Sequence, residues 1–159
     1  MEAKFKNIAL ALGLALAVGA TTVAQSQTSR AVGQRQATMK TFQASMGAIN
    51  AELKKPMPDV AAIQTAAKTF TDTANRLDGL FPAGSGPGPR TKAKAEIWSN
   101  PVGFSGAVSA FQLEVSKLNQ AALSGNVEAI RAQVPKAAQG CGGCHKPFRE
   151  AAPAAPAKT

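Results

Sequence analysis

Four stretches of this 159-residue chain repeat apolar side chains at alternating intervals of three and four, and no stretch alternates with a period of two. The first pattern is the stripe of an amphipathic helix; without the second there is nothing from which to build a sheet. The stripes run Val32, Met39, Phe42, Met46, Ile49, Leu53, then Val60, Ile63, Ala67, Phe70, Ala74, Leu77. Further on come Phe104, Ala107, Phe111, Val115, Leu118, Ala122, and finally Val127, Ile130, Val134, Ala137, Cys141, Cys144, Phe148. Each stripe must be covered by another. The expected fold is all-α, an antiparallel up-down four-helix bundle.

The breaks fall where such helices should end. Pro56 and Pro58 separate the first pair, and Asp59 is placed to cap the second helix. Ser124-Gly125-Asn126 is a short turn, which makes the last two helices antiparallel neighbours. Between the middle two lies a long connection, residues 78–100, rich in Gly and Pro around "PAGSGPGPR". Connections of that length are uncommon and are usually functional or mobile. The last helix carries its own obstacles. Pro135 and Pro147 are expected to kink or restart it, and Gly140, Gly142 and Gly143 weaken it by about 1 kcal/mol each relative to alanine.

At the N-terminus, Lys4 and Lys6 precede a nearly unbroken apolar run, residues 8–20, and Thr22-Val23-Ala24 supplies the small residues of a signal-peptidase site. The run is shorter than the roughly 20 apolar residues of a membrane-spanning helix. Residues 1–24 therefore read as a cleaved secretory signal, with cleavage before Gln25. Residues 25–150 form one domain, and the tail 151–159, "AAPAAPAKT" with its flanking residues, has nothing to pack. Without Lys4, Lys6 and Glu2 the chain keeps 16 basic and 8 acidic residues, a net charge of +8. The basic residues are scattered and aromatics are few, so a nucleic-acid footprint is disfavoured against a solvated basic surface. The same charge suits an acidic redox partner.

Both cysteines and the only histidine lie in Cys141-Gly142-Gly143-Cys144-His145. A zinc site needs four ligands, and this chain offers three. A thioredoxin-like dithiol belongs beside a βαβ pattern, which is missing, and a disulfide across so small a loop would constrain little. Covalent attachment of haem c remains, with C-x-x-C-H as its signature. On a helix, positions three and four apart share one face. Two thiols can then add to the two vinyl groups of a porphyrin while His145 lies beneath the iron as axial ligand. Because Cys141 and Cys144 continue the apolar stripe, the haem is expected in the bundle core.

Another helix must cover the opposite face of the iron. The first stripe is interrupted by Arg35, which either snorkels to the surface or pairs with the haem propionates, with Gln36 beside it able to bond the same groups. One turn on, Met39 is either a plain core methionine or a residue over the open face of the iron. In the second case it blocks that face or binds as a sixth ligand through sulfur, which would raise the reduction potential. Sequence leaves both readings open.

These features resemble the cytochrome c′ family, the class II c-type cytochromes, which are themselves a standard instance of the up-down bundle. The resemblance rests on a haem motif near the C-terminus, on "RQATMK" in the first helix, on "LFPAG" and "TKAKAEIWSN" in the long connection, and on "CHKPFR" at the end. It implies thioether bonds at Cys141 and Cys144, axial His145, and an arginine near that histidine, here Arg149. It also implies haem contacts at Arg35 and Gln36, a distal residue at Met39, and an approach of Thr91 and Lys92 to the haem edge. The low-spin relatives resembling cytochrome c556 use a methionine as sixth ligand, which Met39 would supply. The resemblance further implies a periplasmic protein, often a homodimer through its first two helices, that carries one electron and binds nitric oxide or carbon monoxide on five-coordinate iron. No catalytic constellation is present: there is no second histidine, no nucleophile with a base and no clustered carboxylates. The expectation is a non-enzymatic haem protein.

Overall fold

In the computed structural model the backbone is described for residues 2–151 and side chains for residues 25–151, so the expected signal segment and the tail beyond Ala151 lie outside the described side chains. The helices are α1 (Glu2–Leu53), α2 (Val60–Ala74), the single turn α3 (Glu96–Ser99), α4 (Pro101–Leu123) and α5 (Val127–Phe148), with a 3₁₀ turn at Leu77–Leu80. Among the described residues there is no β-strand, only an isolated antiparallel bridge between Ala93 and Arg149. No described helix is long and apolar enough to cross a membrane.

Local chemistry sets the helix ends. The Asp59 side chain accepts from the Ala62 amide, as its position predicts, and Asn126 accepts from Ala129 at the start of α5. Asn100 accepts from Gly103 at the start of α4, where Pro101 occupies the first helical position and has no amide to leave unsatisfied. Gly125 closes the α4–α5 turn at φ 71°, a left-handed conformation that favours glycine. Proline did not break α5: both Pro135 and Pro147 sit inside one continuous helix. Burial of Ile130, Gln133, Ala137 and Phe148 along its inner face outweighs the lost backbone hydrogen bonds.

α1 packs on α2, α2 on α4 and α4 on α5. The core follows the predicted stripes at Ile49, Ile63, Phe70, Val115, Leu118 and Ile130, which are almost wholly buried, but on α4 it takes Val108 where the stripe named Ala107, which is only half-buried. At its centre Phe42, Phe70 and Phe111 contact one another with ring centroids 5.3–5.9 Å apart and tilted planes. The fourth seam of the bundle, between α1 and α5, is held open by a cavity. The start of α4, the ends of α2 and α5 and the long connection all gather at that end of the bundle.

Candidate functional site

The cavity between α1 and α5 has a volume of about 860 Å³, within the range of small-molecule and cofactor sites. Its wall brings together every residue singled out from sequence: Arg35, Gln36 and Met39 from α1, Thr91 and Lys92 from the connection, and Cys141, Cys144, His145 and Arg149 from the end of α5. Phe42, Phe70, Leu77, Phe81, Phe104, Phe111 and Phe148 make the rest of the lining strongly apolar.

On the α5 wall both thiols are free and half-buried, and Cys141 Sγ donates to the Ala137 carbonyl at 3.6 Å. Burial raises the pKa of both above the usual thiol value, which keeps them protonated. Burial lowers that of His145, and the nearby Arg149 charge lowers it further. The imidazole is therefore held neutral, the form with a lone pair to give a metal. Arg149 ends α5: its amide donates to the His145 carbonyl at 3.0 Å, and it forms the bridge with Ala93. Among the described residues no group of three His, Cys, Asp or Glu side chains gathers as a metal cage would require. The thiols and the imidazole instead share one wall, as attachment to a flat macrocycle requires.

On the α1 wall Arg35 is 5% exposed, so it does not snorkel. Its Nη1 donates to Leu80 O at 3.3 Å and Ser85 Oγ at 2.9 Å, and its Nη2 to Ser85 O at 2.8 Å. The guanidinium also lies 5.0 Å from the Phe81 ring centroid and 5.8 Å from that of Trp98. Those bonds use three of the five guanidinium N–H donors. Nε alone is buried with no acceptor on the chain. Desolvation lowers the Arg35 pKa, yet no carboxylate lines the cavity to balance its charge. A ligand bearing carboxylates fits this orphaned donor and unbalanced cation. Gln36 is similarly occupied, its Nε2 donating to Arg90 O at 2.9 Å.

Sequence reading gave no individual role to Phe81, Ser85, Arg90 or Trp98, although "LFPAG" and "TKAKAEIWSN" contain the first and the last. Trp98 Nε1 donates to Phe81 O and Pro82 O, which fixes the connection from the other side. A signal existed in retrospect: the chain's only tryptophan lies just before Asn100, the α4 cap.

The family described as Cytochrome C′ matches residues 30–149. Cytochrome c′ of Rhodospirillum rubrum is 31% identical over 134 residues, covering 84% of this chain and 91% of its own. That of Rubrivivax gelatinosus is 29% identical over 121 residues, 76% of this chain and 94% of its own. The crystal structure of the Rubrivivax protein superposes with a TM-score of 0.70 at 28% identity, covering 76% of this chain and 94% of that one. A nitric oxide complex of a cytochrome c prime variant from Alcaligenes xylosoxidans reaches 0.72 at 26% identity, covering 79% and 97%. With its bundle, its C-terminal Cys141-Gly142-Gly143-Cys144-His145 and a cavity to match, the chain belongs to the cytochrome c′ family and carries covalently bound haem c.

Proposed function

We propose that the protein is an exported, periplasmic haem protein with five-coordinate iron. In this reading it passes single electrons and takes nitric oxide or carbon monoxide on the face toward Met39. The observation that carries the proposal is the placing of His145 and Met39 on opposite walls of one apolar cavity, on α5 and α1. Haem c supplies an iron that changes charge by one electron and can bind a diatomic ligand. The chain supplies the rest. Cys141 and Cys144 would hold the macrocycle, His145 would give the iron a nitrogen ligand, and Arg35 Nε and Lys92 would meet the propionates. Met39, half-buried among Phe42 and its neighbours, keeps the distal face apolar and closed to bulky ligands.

The partner follows from charge at the cavity mouth. Lys40, Arg90, Lys92 and Arg149 line it, and none takes part in an ion pair among the described residues. An acidic redox protein is the complementary occupant, and its association should slow with ionic strength. A homodimer through α1 and α2 belongs to the same proposal; an enzymatic role does not.

The deciding experiment is the optical spectrum of the reduced holoprotein with and without carbon monoxide. A broad high-spin spectrum that shifts with the gas is the expected result. Sharp low-spin bands indifferent to the gas would make Met39 the sixth ligand and the protein a dedicated electron carrier.

A further inference from the structure

The long connection crosses the open seam of the bundle. On the α1 side Thr28 Oγ1 donates to Gly84 O, Arg35 holds Ser85, Gln36 holds Arg90 O, and Arg90 Nη2 donates to Ser29 Oγ. On the α5 side the Lys94 amide donates to Phe148 O at 3.1 Å and the Glu150 amide to Lys92 O at 2.7 Å. Residues 84–94 are thus tied to two helices that the cavity keeps apart.

A second hollow of about 480 Å³ lies against the same segment, lined by Gln25, Thr28, Ser29 and residues 86–91. Val32, Pro89, Arg90 and Thr91 belong to the walls of both hollows. The segment also has hinge material: Gly84 at φ 77°, with Gly86 and Gly88 close behind. Its bonds to α1 at Gln36, Thr28 and Ser29 are exposed, whereas those from Arg35 to Ser85 are buried. Buried charge-assisted bonds are the strong ones, so Arg35 and Ser85 set the cost of lifting the segment.

We propose that residues 84–94 form a strap that admits small diatomic ligands from the outer hollow to the haem cavity, latched by Arg35 on Ser85. Arg35 acts on the strap through its terminal nitrogens, beside the propionate contact proposed for its Nε. The inference rests on the gas-binding reading above.

The test compares wild-type holoprotein with Ser85→Ala, which removes one of the two acceptors of Arg35 Nη1 and the bond from Ser85 Oγ to Pro82 O. Ser85 does not line the cavity, so the reduced spectrum should stay as in wild type. Carbon monoxide uptake in stopped flow should quicken roughly tenfold, the change in open population that one lost charge-assisted hydrogen bond produces. Hydrogen exchange at the Lys94 and Glu150 amides should quicken with it. Arg35→Lys keeps the charge without the fork and should act in the same direction. Faster exchange with unchanged uptake would show that the gas enters elsewhere, and unchanged exchange in both variants would show that this pair is no latch. Wild-type protein that takes up no carbon monoxide would sink the gas-binding reading alone; the latch is then judged on exchange, which unchanged overturns it.

Discussion

Gly140 approaches Phe111 so closely that a Cβ on the glycine would stand 3.3 Å from the Phe111 Cα and 3.3 Å from its ring Cδ2. This contact lies one residue before Cys141. It seats the turn of α5 that carries Cys141, Cys144 and His145 on α4, and through Phe111 on the aromatic cluster with Phe42 and Phe70.

The glycines of this segment therefore separate into two kinds. Gly140→Ala gains about 1 kcal/mol of helix propensity but forces a helix backbone to give way, which costs about 1–3 kcal/mol. The net expectation is a loss of roughly 1 kcal/mol, the upper part of that cost less the gain. Gly142 and Gly143 face solvent, and a Cβ on either meets no protein atom within 4 Å. Gly142→Ala should stabilise by up to about 1 kcal/mol. Urea unfolding of both variants beside wild type decides it; a Gly140→Ala protein more stable than the parent would refute the close-packing argument.

The stripes were legible because burial in a bundle has one period: Phe104, Phe111, Val115, Leu118 and Ala122 are buried as the spacing named, while Val108 takes the buried place that the spacing gave to Ala107. The cap at Asp59 was legible because a single side chain satisfies a single amide, whereas Asn126 was read only as part of a turn. The candidate attachment turn, Cys141–His145, stood out because its chemistry sits in five consecutive residues. Less legible was α5, where Pro135 and Pro147 argued locally for a break and packing on α4 overrode them. Gln133 was hidden for a similar reason: a buried glutamine is read only once its partners, Glu114 O and Glu114 Oε2, are placed across the helix pair. The partners of Arg35 were beyond reach altogether. Ser85 lies 50 residues away in a connection without periodicity, and no pattern within either segment links them.

Removing the axial and the covalent attachments should have separable effects. His145→Ala should abolish normal axial ligation, read as a changed optical spectrum, while the denatured chain still retains porphyrin. The double variant Cys141→Ser with Cys144→Ser should release it entirely into acidified organic solvent. An unchanged spectrum in the first variant would remove His145 from the proximal position, and retained porphyrin in the second would remove the thiols from attachment.

Phe70 is 1% exposed and touches both other rings of the central cluster, besides lining the cavity. Phe70→Ala should cost about 3–5 kcal/mol, as for other large buried aromatics, with the loss read from the urea midpoint at unchanged slope. A cost below about 1 kcal/mol would mean that the cavity wall collapses onto the vacated space, contrary to a close-packed core.

Glu114 should give the protein part of its acid sensitivity. Its carboxylate accepts from Lys117 Nζ at 2.6 Å and from Gln133 Nε2 at 2.7 Å. The hydrogen bond from Lys117, then that from Gln133, lower its pKa below the ordinary 4.5. A depressed carboxylate pKa means that the folded chain favours the charged form. Its contribution is complete above the unfolded value near 4.5 and disappears as pH falls through the lower folded value. Glu114→Gln removes that titration and keeps an acceptor for Gln133. Stability of wild type should fall more steeply than that of the variant below pH 4.5, with a constant gap between them above it. Glu52, depressed chiefly by Lys55, loses its contribution in the same acid region in both proteins and cancels from the comparison. Because the Lys117 pair is partly exposed, high salt should narrow the gap. Parallel curves through the acid region would show that the carboxylate titrates alike in the folded and unfolded chain, and that the bond to Gln133 serves packing alone.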